Sequence, residues 1–221
     1  NATSSFKFLF KFPIIIDVHL KVDYFNYLIK KSLQPSNQRF ELNDDDQILQ
    51  NSLNKFKSMD FSEWRKEFTP TILNSDKDWY ETICQMLFSS DLFKLTPNNR
   101  CVQINSSNTN YDMYRFAGFF VALCLLHNKK INAHLAPSIF KKILGLPCTL
   151  RDVEIVDVVL ARSYRHMLDK DANNLGLFFT ATSLNDENQP IEVELIPDGA
   201  QTPVNDDNKE HYVQLMINFR F

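Results

Sequence analysis

Cysteine supplies the strongest nucleophile in this chain, and its four copies are scattered along the sequence. Cys84, Cys101, Cys124 and Cys148 form no C-x-x-C pair and have no histidine at metal-ligand spacing. Cys84 and Cys124 fall within apolar helical patterns, which predicts buried free thiols. Free thiols fit a reducing compartment, so we predict a cytoplasmic or nuclear protein.

The histidines do not indicate a metal site either. The five of them include no i, i+4 pair, and the four glycines form no phosphate-cradling loop. We therefore predict no metal and no cofactor. Cys148 is read as a linker residue rather than a catalytic thiol, because reactivity requires an electropositive, partly exposed setting. A cysteine–histidine pair that meets only in space stays open.

Charge and composition limit the class of protein. Lys and Arg total 24 against 27 Asp and Glu, a formal net charge of -3, which argues against a nucleic-acid binder. A hydrophobic content of 44% with 19 phenylalanines supports a packed core. The chain begins without Met and ends at Phe221 inside a predicted helix. We read both as fragment ends.

Residues 111–127 are apolar on nearly every face of a helix. Their uninterrupted apolar run extends only from Phe116 to Leu126, whereas a membrane span needs about 20 residues. We therefore predict no membrane span and instead a central buried helix, in which Gly118 lets a neighbour approach closely.

Periodicity and capping signals predict the remaining helices. They are expected over 17–33, 46–57, 78–89 and 157–170. Pro137 suits the first position of a further helix and Gly145 its end. Thr149 and Asp152 resemble the two ends of a capping box. Asn205 is expected to cap the last helix, with Asp206 and Asp207 in its first turn and a buried face formed by Tyr212, Leu215, Met216 and Phe219.

Strands are expected to be short and to form hairpins. Residues 67–73 read as an edge strand because Pro70 donates no ladder hydrogen bond. Two strands are expected around the turn at 96–99, and 175–182 with 191–196 read as a hairpin. Residues 34–46 read as a loop, 60–64 as a capped turn and 6–16 as a strand or buried segment. The fold class is thus α+β and mainly helical.

Four segments, in order, resemble one known family. They are Tyr114–Gly118 (YRFAG), Ala122–Ile131 (ALCLLHNKKI), Leu144–Asp152 (LGLPCTLRD) and Val193–Asn205 (VELIPDGAQTPVN). Together they resemble the N-terminal lobe of HECT-type E3 ubiquitin ligases. Residues 46–221 are identified as a partial N-lobe and 1–45 as a poorly matched extension. The residues at 60–64, 79–84 and 199–204 most resemble the apoptosis-resistant E3 ligase-like subgroup.

The resemblance implies a two-step mechanism and a docking site. A ubiquitin-conjugating enzyme docks on the N-lobe, ubiquitin passes to a cysteine on a C-terminal lobe, and a substrate lysine then receives it. The C-lobe and its cysteine are absent here, so no residue of this chain is expected to be catalytic. The docking region is 157–212. Its matching positions are Leu160, Ser163, Tyr164, Met167, Lys170, Asn173, Asn174, Leu175, Leu177 and Tyr212, with Tyr212 expected as an anchor.

The match has departures that leave alternatives open. Lys170 stands where the family has an aromatic or apolar residue, and Asn173 and Asn174 stand near positions that are usually acidic. Residues 74–79 replace a longer Gly-Gly segment. One alternative is a truncated, non-catalytic module that binds conjugating enzymes as a scaffold or decoy. Another is an unrelated helical interaction domain.

Overall fold

The computed structural model describes residues 16–33, 39–60, 66, 69–97, 100–173, 175–185 and 189–221. The predictions for 6–15 and 61–64 lie outside these residues. The chain divides into two compact units. The first contains the described residues up to Leu87 together with Tyr111–Asn132, and the second contains Phe88–Asn110 together with Ala133–Phe221.

The first unit contains four helices and one strand pair among its described residues. The helices are α1 (Val18–Ser32), α2 (Ile48–Ser58), α3 (Trp79–Phe88, whose last residue belongs to the second unit) and α4 (Tyr111–Leu126). α1 begins where Asp17 accepts a hydrogen bond from the His19 amide at 2.8 Å. All four predicted helices are confirmed to within a few residues.

A parallel strand pair corrects the prediction for residues 34–46. β1 (Arg39–Asn43) pairs with β2 (Thr69–Leu73), so part of the expected loop is a strand. Phe40 and Leu42 are buried while Glu41 is exposed, which is the alternation of a half-buried strand. Pro70 lies opposite Phe40. It is tolerated because a two-stranded sheet leaves each strand with an open edge, as the edge-strand prediction required.

The core of the first unit is aromatic. Trp79 is 1% exposed, and its Nε1 donates to Ser52 Oγ at 3.1 Å. Phe56 packs against Phe116 with ring centroids 5.0 Å apart. Cys84 and Cys124 lie in the same core, as predicted. Burial raises the pKa of the Cys124 thiol to about 12, so this thiol stays protonated at neutral pH.

The helix α4 is buried on one face only, which corrects the prediction of a helix surrounded by core. Phe116 and Phe120 are buried, but Tyr111 is 77% and Leu125 is 54% exposed. Gly118 lies on the exposed side, and a Cβ added there would meet no heavy atom of the described residues within 4 Å. The expected close approach at Gly118 is therefore wrong.

Replacing Gly118 by Ala is expected to stabilise the chain by about 0.5–1 kcal/mol, because Ala loses less backbone entropy in a helix. The shift of the urea midpoint measures this. Gly145→Ala is the control with the opposite expected effect. Gly145 has a φ of +67°, and a residue with a side chain is less stable in this left-handed conformation by about 1–2 kcal/mol. Destabilisation by Gly118→Ala would mean that an unrecognised neighbour lies against this position.

Among its described residues, the second unit contains four further α-helices and two hairpins. The helices are α5 (Pro137–Ile143), α6 (Leu150–Val156), α7 (Val158–Asp169) and α8 (Lys209–Arg220). The antiparallel strand pairs are β3 (Phe93–Leu95) with β4 (Val102–Ile104), and β5 (Thr180–Leu184) with β6 (Pro190–Glu194). Pro137 is at the start of α5, and Thr149 and Asp152 form the capping box of α6. The α+β, mainly helical class is confirmed.

Two boundaries in the second unit differ from the prediction. β5 begins at Thr180 rather than near 175, because the preceding backbone bonds elsewhere: the Leu177 carbonyl accepts from the Val204 amide at 2.8 Å. α8 begins at Lys209 instead of after Asn205. The Asn205 side chain accepts from the amides of Asp207 and Asn208 at 3.0 and 3.1 Å, which closes a separate turn.

The buried face of α8 is also shifted. Tyr212, Val213 and Ile217 are buried, whereas Phe219 is 41% exposed. Among the described residues of both units, no helix is long and apolar enough to cross a membrane.

Candidate functional site

The helix α7 is the central element of the site. Its first turn is fixed by Asp157, whose Oδ1 accepts from the Leu160 amide at 2.9 Å. The other Asp157 oxygen accepts from Arg220 at 3.3 Å, which connects the start of α7 to the end of α8. The exposed guanidinium group of Arg165 donates two hydrogen bonds to the Glu154 carboxylate, at 3.0 and 2.6 Å, which connects α7 to α6. These contacts fix the direction in which the faces of α7 point.

One face of α7 packs into the core of the second unit. Ala161 and Tyr164 are buried there, and Leu160, Met167 and Leu168 pack at its margin, as the predicted stripe required. Phe179 lies beneath, with its ring centroid 5.4 Å from that of Tyr212. Burial raises the pKa of Tyr164 to about 12. This face of α7 is structural.

The opposite face borders an open depression of about 560 Å³, which we call the α7 groove. It is lined by residues of α7 and of the segment that follows it, namely Arg162, Ser163, His166, Met167, Lys170, Asp171, Leu175 and Leu177. Five of the predicted docking positions therefore meet at one surface: Ser163, Met167, Lys170, Leu175 and Leu177. The Leu175 side chain is 45% exposed, so the groove presents apolar surface to solvent.

The segment after α7 is fastened to the start of α8. Asp206 accepts from the Ala172 amide and from Asn173 Nδ2, both at 3.0 Å. Lys209 Nζ donates to the Lys170 carbonyl and to Asp206, both at 2.7 Å. The bond from Lys209, followed by the one from Ala172, holds the pKa of Asp206 below its ordinary value. These contacts fix the backbone from which Lys170 and Leu175 project into the groove.

Other predicted positions lie away from the groove surface. Tyr164 is 4% and Tyr212 is 5% exposed, so each supports the surface from beneath and neither projects from it. Leu160 is partly buried against the same core. Asn173 is exposed and contacts Asp206. Asn174 lies outside the described residues. A role for these residues in partner binding stays a prediction.

Several residues of the site were not anticipated. Arg162 and His166 line the groove two turns and one turn before Lys170, respectively, and extending the i, i+4 spacing backwards from Lys170 would have found them. Asp206 and Lys209 fasten a segment that lies 33 to 39 residues earlier. No local sequence pattern predicts a contact between segments so far apart in the chain.

The cysteines of this unit are placed poorly for nucleophilic chemistry. Cys148 is 1% exposed, and its carbonyl accepts from Gln214 at 3.3 Å. Burial, followed by the charge of Asp152, raises the pKa of its thiol, which is the opposite of what a nucleophilic thiol needs. Cys101 is half-buried beside the short strand β4. The groove offers binding surface rather than reactive groups.

Comparison with known proteins gives a consistent result. The family model described as HECT-domain (ubiquitin-transferase) matches residues 81–221. E3 ubiquitin-protein ligase HACE1 of Danio rerio is 32% identical over 151 residues, which are 65% of this chain and 17% of that relative. The Homo sapiens protein of the same name is 33% identical over 151 residues, with the same coverage of 65% and 17%. E3 ubiquitin-protein ligase RSP5 of Chaetomium thermophilum is 38% identical over 119 residues, which are 53% of this chain and 14% of that relative.

The matched range, residues 81–221, contains the whole α7 groove together with α6 and α8. The chain spans less than a fifth of the length of the curated relatives, at 17% and 14%.

Proposed function

The chain belongs to the HECT-domain (ubiquitin-transferase) family, and on that premise we propose that residues 157–212 dock a ubiquitin-conjugating enzyme. The parent protein then acts as an E3 ubiquitin ligase of the cytoplasm or nucleus. Family membership excludes the unrelated helical domain that the sequence left open. It confirms the family resemblance, whereas assignment to the apoptosis-resistant E3 ligase-like subgroup stays a prediction.

The α7 groove is the observation that carries this proposal. It combines partly exposed apolar side chains, Met167, Leu175 and Leu177, with polar residues at its edge. An apolar centre inside a polar rim is typical of protein interfaces. Its small size suits a transient partner that must leave after delivering ubiquitin. Tyr164 and Tyr212 contribute by supporting the groove from the core.

The chemistry proposed for the parent protein is acyl transfer between thiols. A cysteine thiolate on a C-terminal lobe attacks the thioester carbonyl of the conjugating enzyme's ubiquitin, and the enzyme's cysteine leaves as a thiolate. The new thioester is attacked by the amine of a substrate lysine, which releases the lobe's cysteine. Residues 157–212 take no covalent part and act by positioning the donor.

Docking is tested by the Leu175→Ser variant. It should weaken binding of a conjugating enzyme by about tenfold or more, because an apolar contact at the centre of the interface is removed. Leu146→Ser is the matched control, since Leu146 is 51% exposed in the same unit and does not line the groove. Calorimetric titration against a panel of ubiquitin-free conjugating enzymes measures both. Equal affinities for the two variants, or no binding by any enzyme of the panel, would refute the proposal.

The chain itself is expected to form no thioester with ubiquitin. Cys84, Cys124 and Cys148 are buried and burial raises the pKa of each thiol, so none is available as a thiolate. Incubation with activating enzyme, conjugating enzyme and ubiquitin, followed by non-reducing electrophoresis, measures this, with an intact HECT ligase as positive control. A thiol-sensitive ubiquitin adduct would contradict the expectation, and Cys101→Ser would then test the half-buried cysteine.

A second candidate function is a binding module that docks conjugating enzymes without transferring ubiquitin. The α7 groove is the observation that supports it, because docking by residues 157–212 needs no reactive thiol. Both functions predict that Leu175→Ser weakens the binding of a conjugating enzyme. They differ in whether the parent protein forms a ubiquitin thioester, which the same electrophoretic assay on that protein decides.

A further inference from the structure

A row of basic side chains borders the α7 groove. Arg162, His166 and Lys170 recur every four residues, and all three are exposed and line the groove. Residues four apart on a helix are neighbours on its surface. The three side chains therefore form one continuous row, which we call the basic rim, next to the apolar side chains of Met167, Leu175 and Leu177.

The basic rim is not neutralised by the described residues around it. Asp171 is the single carboxylate among the groove residues, against the two permanent positive charges of Arg162 and Lys170. Glu154 lies near enough to interact with Arg162, but both of its oxygens are bonded to Arg165. Among the salt bridges of the described residues, none involves Arg162 or Lys170.

This arrangement favours a negatively charged partner. Arg162 and Lys170 form no salt bridge among the described residues, so a carboxylate brought by a partner forms a new ion pair without breaking an existing one. The same two positive charges would disfavour a partner loop that carries a lysine or arginine at this place, because like-charge contacts at an interface are strongly unfavourable. The adjacent apolar floor requires an apolar side chain from the same loop.

We propose that the basic rim selects, among conjugating enzymes, those whose docking loop carries a carboxylate beside its apolar side chain. This rests on the proposed docking function and adds the charge of the partner. The apolar residue occupies the floor near Leu175, and the carboxylate pairs with Lys170 or Arg162. The chain's formal net charge of -3 argues that a nucleic acid is not the negative partner.

Charge reversal of the rim tests this selection. The double variant Arg162→Glu, Lys170→Glu should bind an acidic-loop conjugating enzyme about tenfold or more weakly, mainly through slower association at low salt. The double variant Lys94→Glu, Lys142→Glu makes the same change in net charge at exposed positions of the same unit that do not line the groove. It should keep its affinity within about twofold, because screening weakens distant charges. Far-UV circular dichroism checks that both variants are folded.

A complementary change in the enzyme makes the test reciprocal. Replacing the loop carboxylate by lysine should weaken binding to the natural chain and restore binding to the rim-reversed variant. If rim reversal leaves affinity unchanged while Leu175→Ser still weakens it, the charge selection is wrong and docking stands. If no conjugating enzyme binds the natural chain, the proposed function fails, and the charge selection fails with it.

Discussion

Replacing Phe179 by Ala should destabilise the second unit by about 3–5 kcal/mol, the range for removing a fully buried aromatic ring. Phe179 is 1% exposed, and its ring contacts Tyr212 and His211 at centroid distances of 5.4 and 5.7 Å. The vacated space lies in the core on which α7 packs. Docking should therefore be lost together with stability.

Hydrogen exchange of α7 and α8 amides, read by mass spectrometry, measures the loss within the second unit. Phe178→Ala is the matched control, because the neighbouring ring is 42% exposed. Phe178→Ala should lower the free energy of unfolding by about 1 kcal/mol or less. A similar loss of protection in both variants would show that Phe179 is no more central to this core than its exposed neighbour.

Replacing Asp152 by Ala is expected to cost about 2–3 kcal/mol at neutral pH, because a charged hydrogen bond and a helix cap are lost together. The Asp152 side chain is 4% exposed. Its Oδ2 accepts from Lys141 Nζ at 2.5 Å, from the Thr149 amide at 2.7 Å and from Thr149 Oγ1 at 2.9 Å. Glu154→Ala, in the same helix, should change stability little, since the pair of Glu154 with Arg165 is open to solvent.

The effect of Asp152 should depend on pH with a defined sign. Burial alone would raise the pKa of this carboxyl, but the bonds from Lys141 and Thr149 outweigh burial and hold the pKa below its ordinary value of 3.8. A depressed folded-state pKa contributes stability above the unfolded-state pKa and loses it as pH falls through the folded-state pKa. The natural chain should therefore have a larger free energy of unfolding than Asp152→Asn at pH 7, and this difference should shrink below about pH 4.

Urea unfolding of the two proteins from pH 7 to pH 3 measures this dependence. A stability difference that grows on acidification would contradict the assignment of Asp152 as an ionised cap. A difference that is absent at pH 7 would show that Asn serves equally well as partner for Thr149 and Lys141.

Much of this fold follows from local patterns in the sequence. α5 begins at Pro137 and ends before Gly145, which has a φ of +67°. α6 begins at the Thr149–Asp152 capping box. In these places the signal lies within a few residues, because a cap satisfies backbone groups of the adjoining turn. The ordered family motifs similarly sufficed to identify a HECT domain, whereas their assignment of docking to α7 and the following segment stays a prediction.

Contacts between distant segments are what only the tertiary structure decided. β1 had a brief alternation around Phe40, but its partner β2 begins 30 residues later, at Thr69 opposite Arg39. Gly118 and Phe219 show the same limit: each was predicted to lie against a neighbour, but Gly118 is exposed and Phe219 is 41% exposed. Periodicity tells which residues share a face, but a face becomes core or surface only when a neighbour packs on it. The α7 groove, with Asp206 and Lys209 fastening its far side, exists for the same reason.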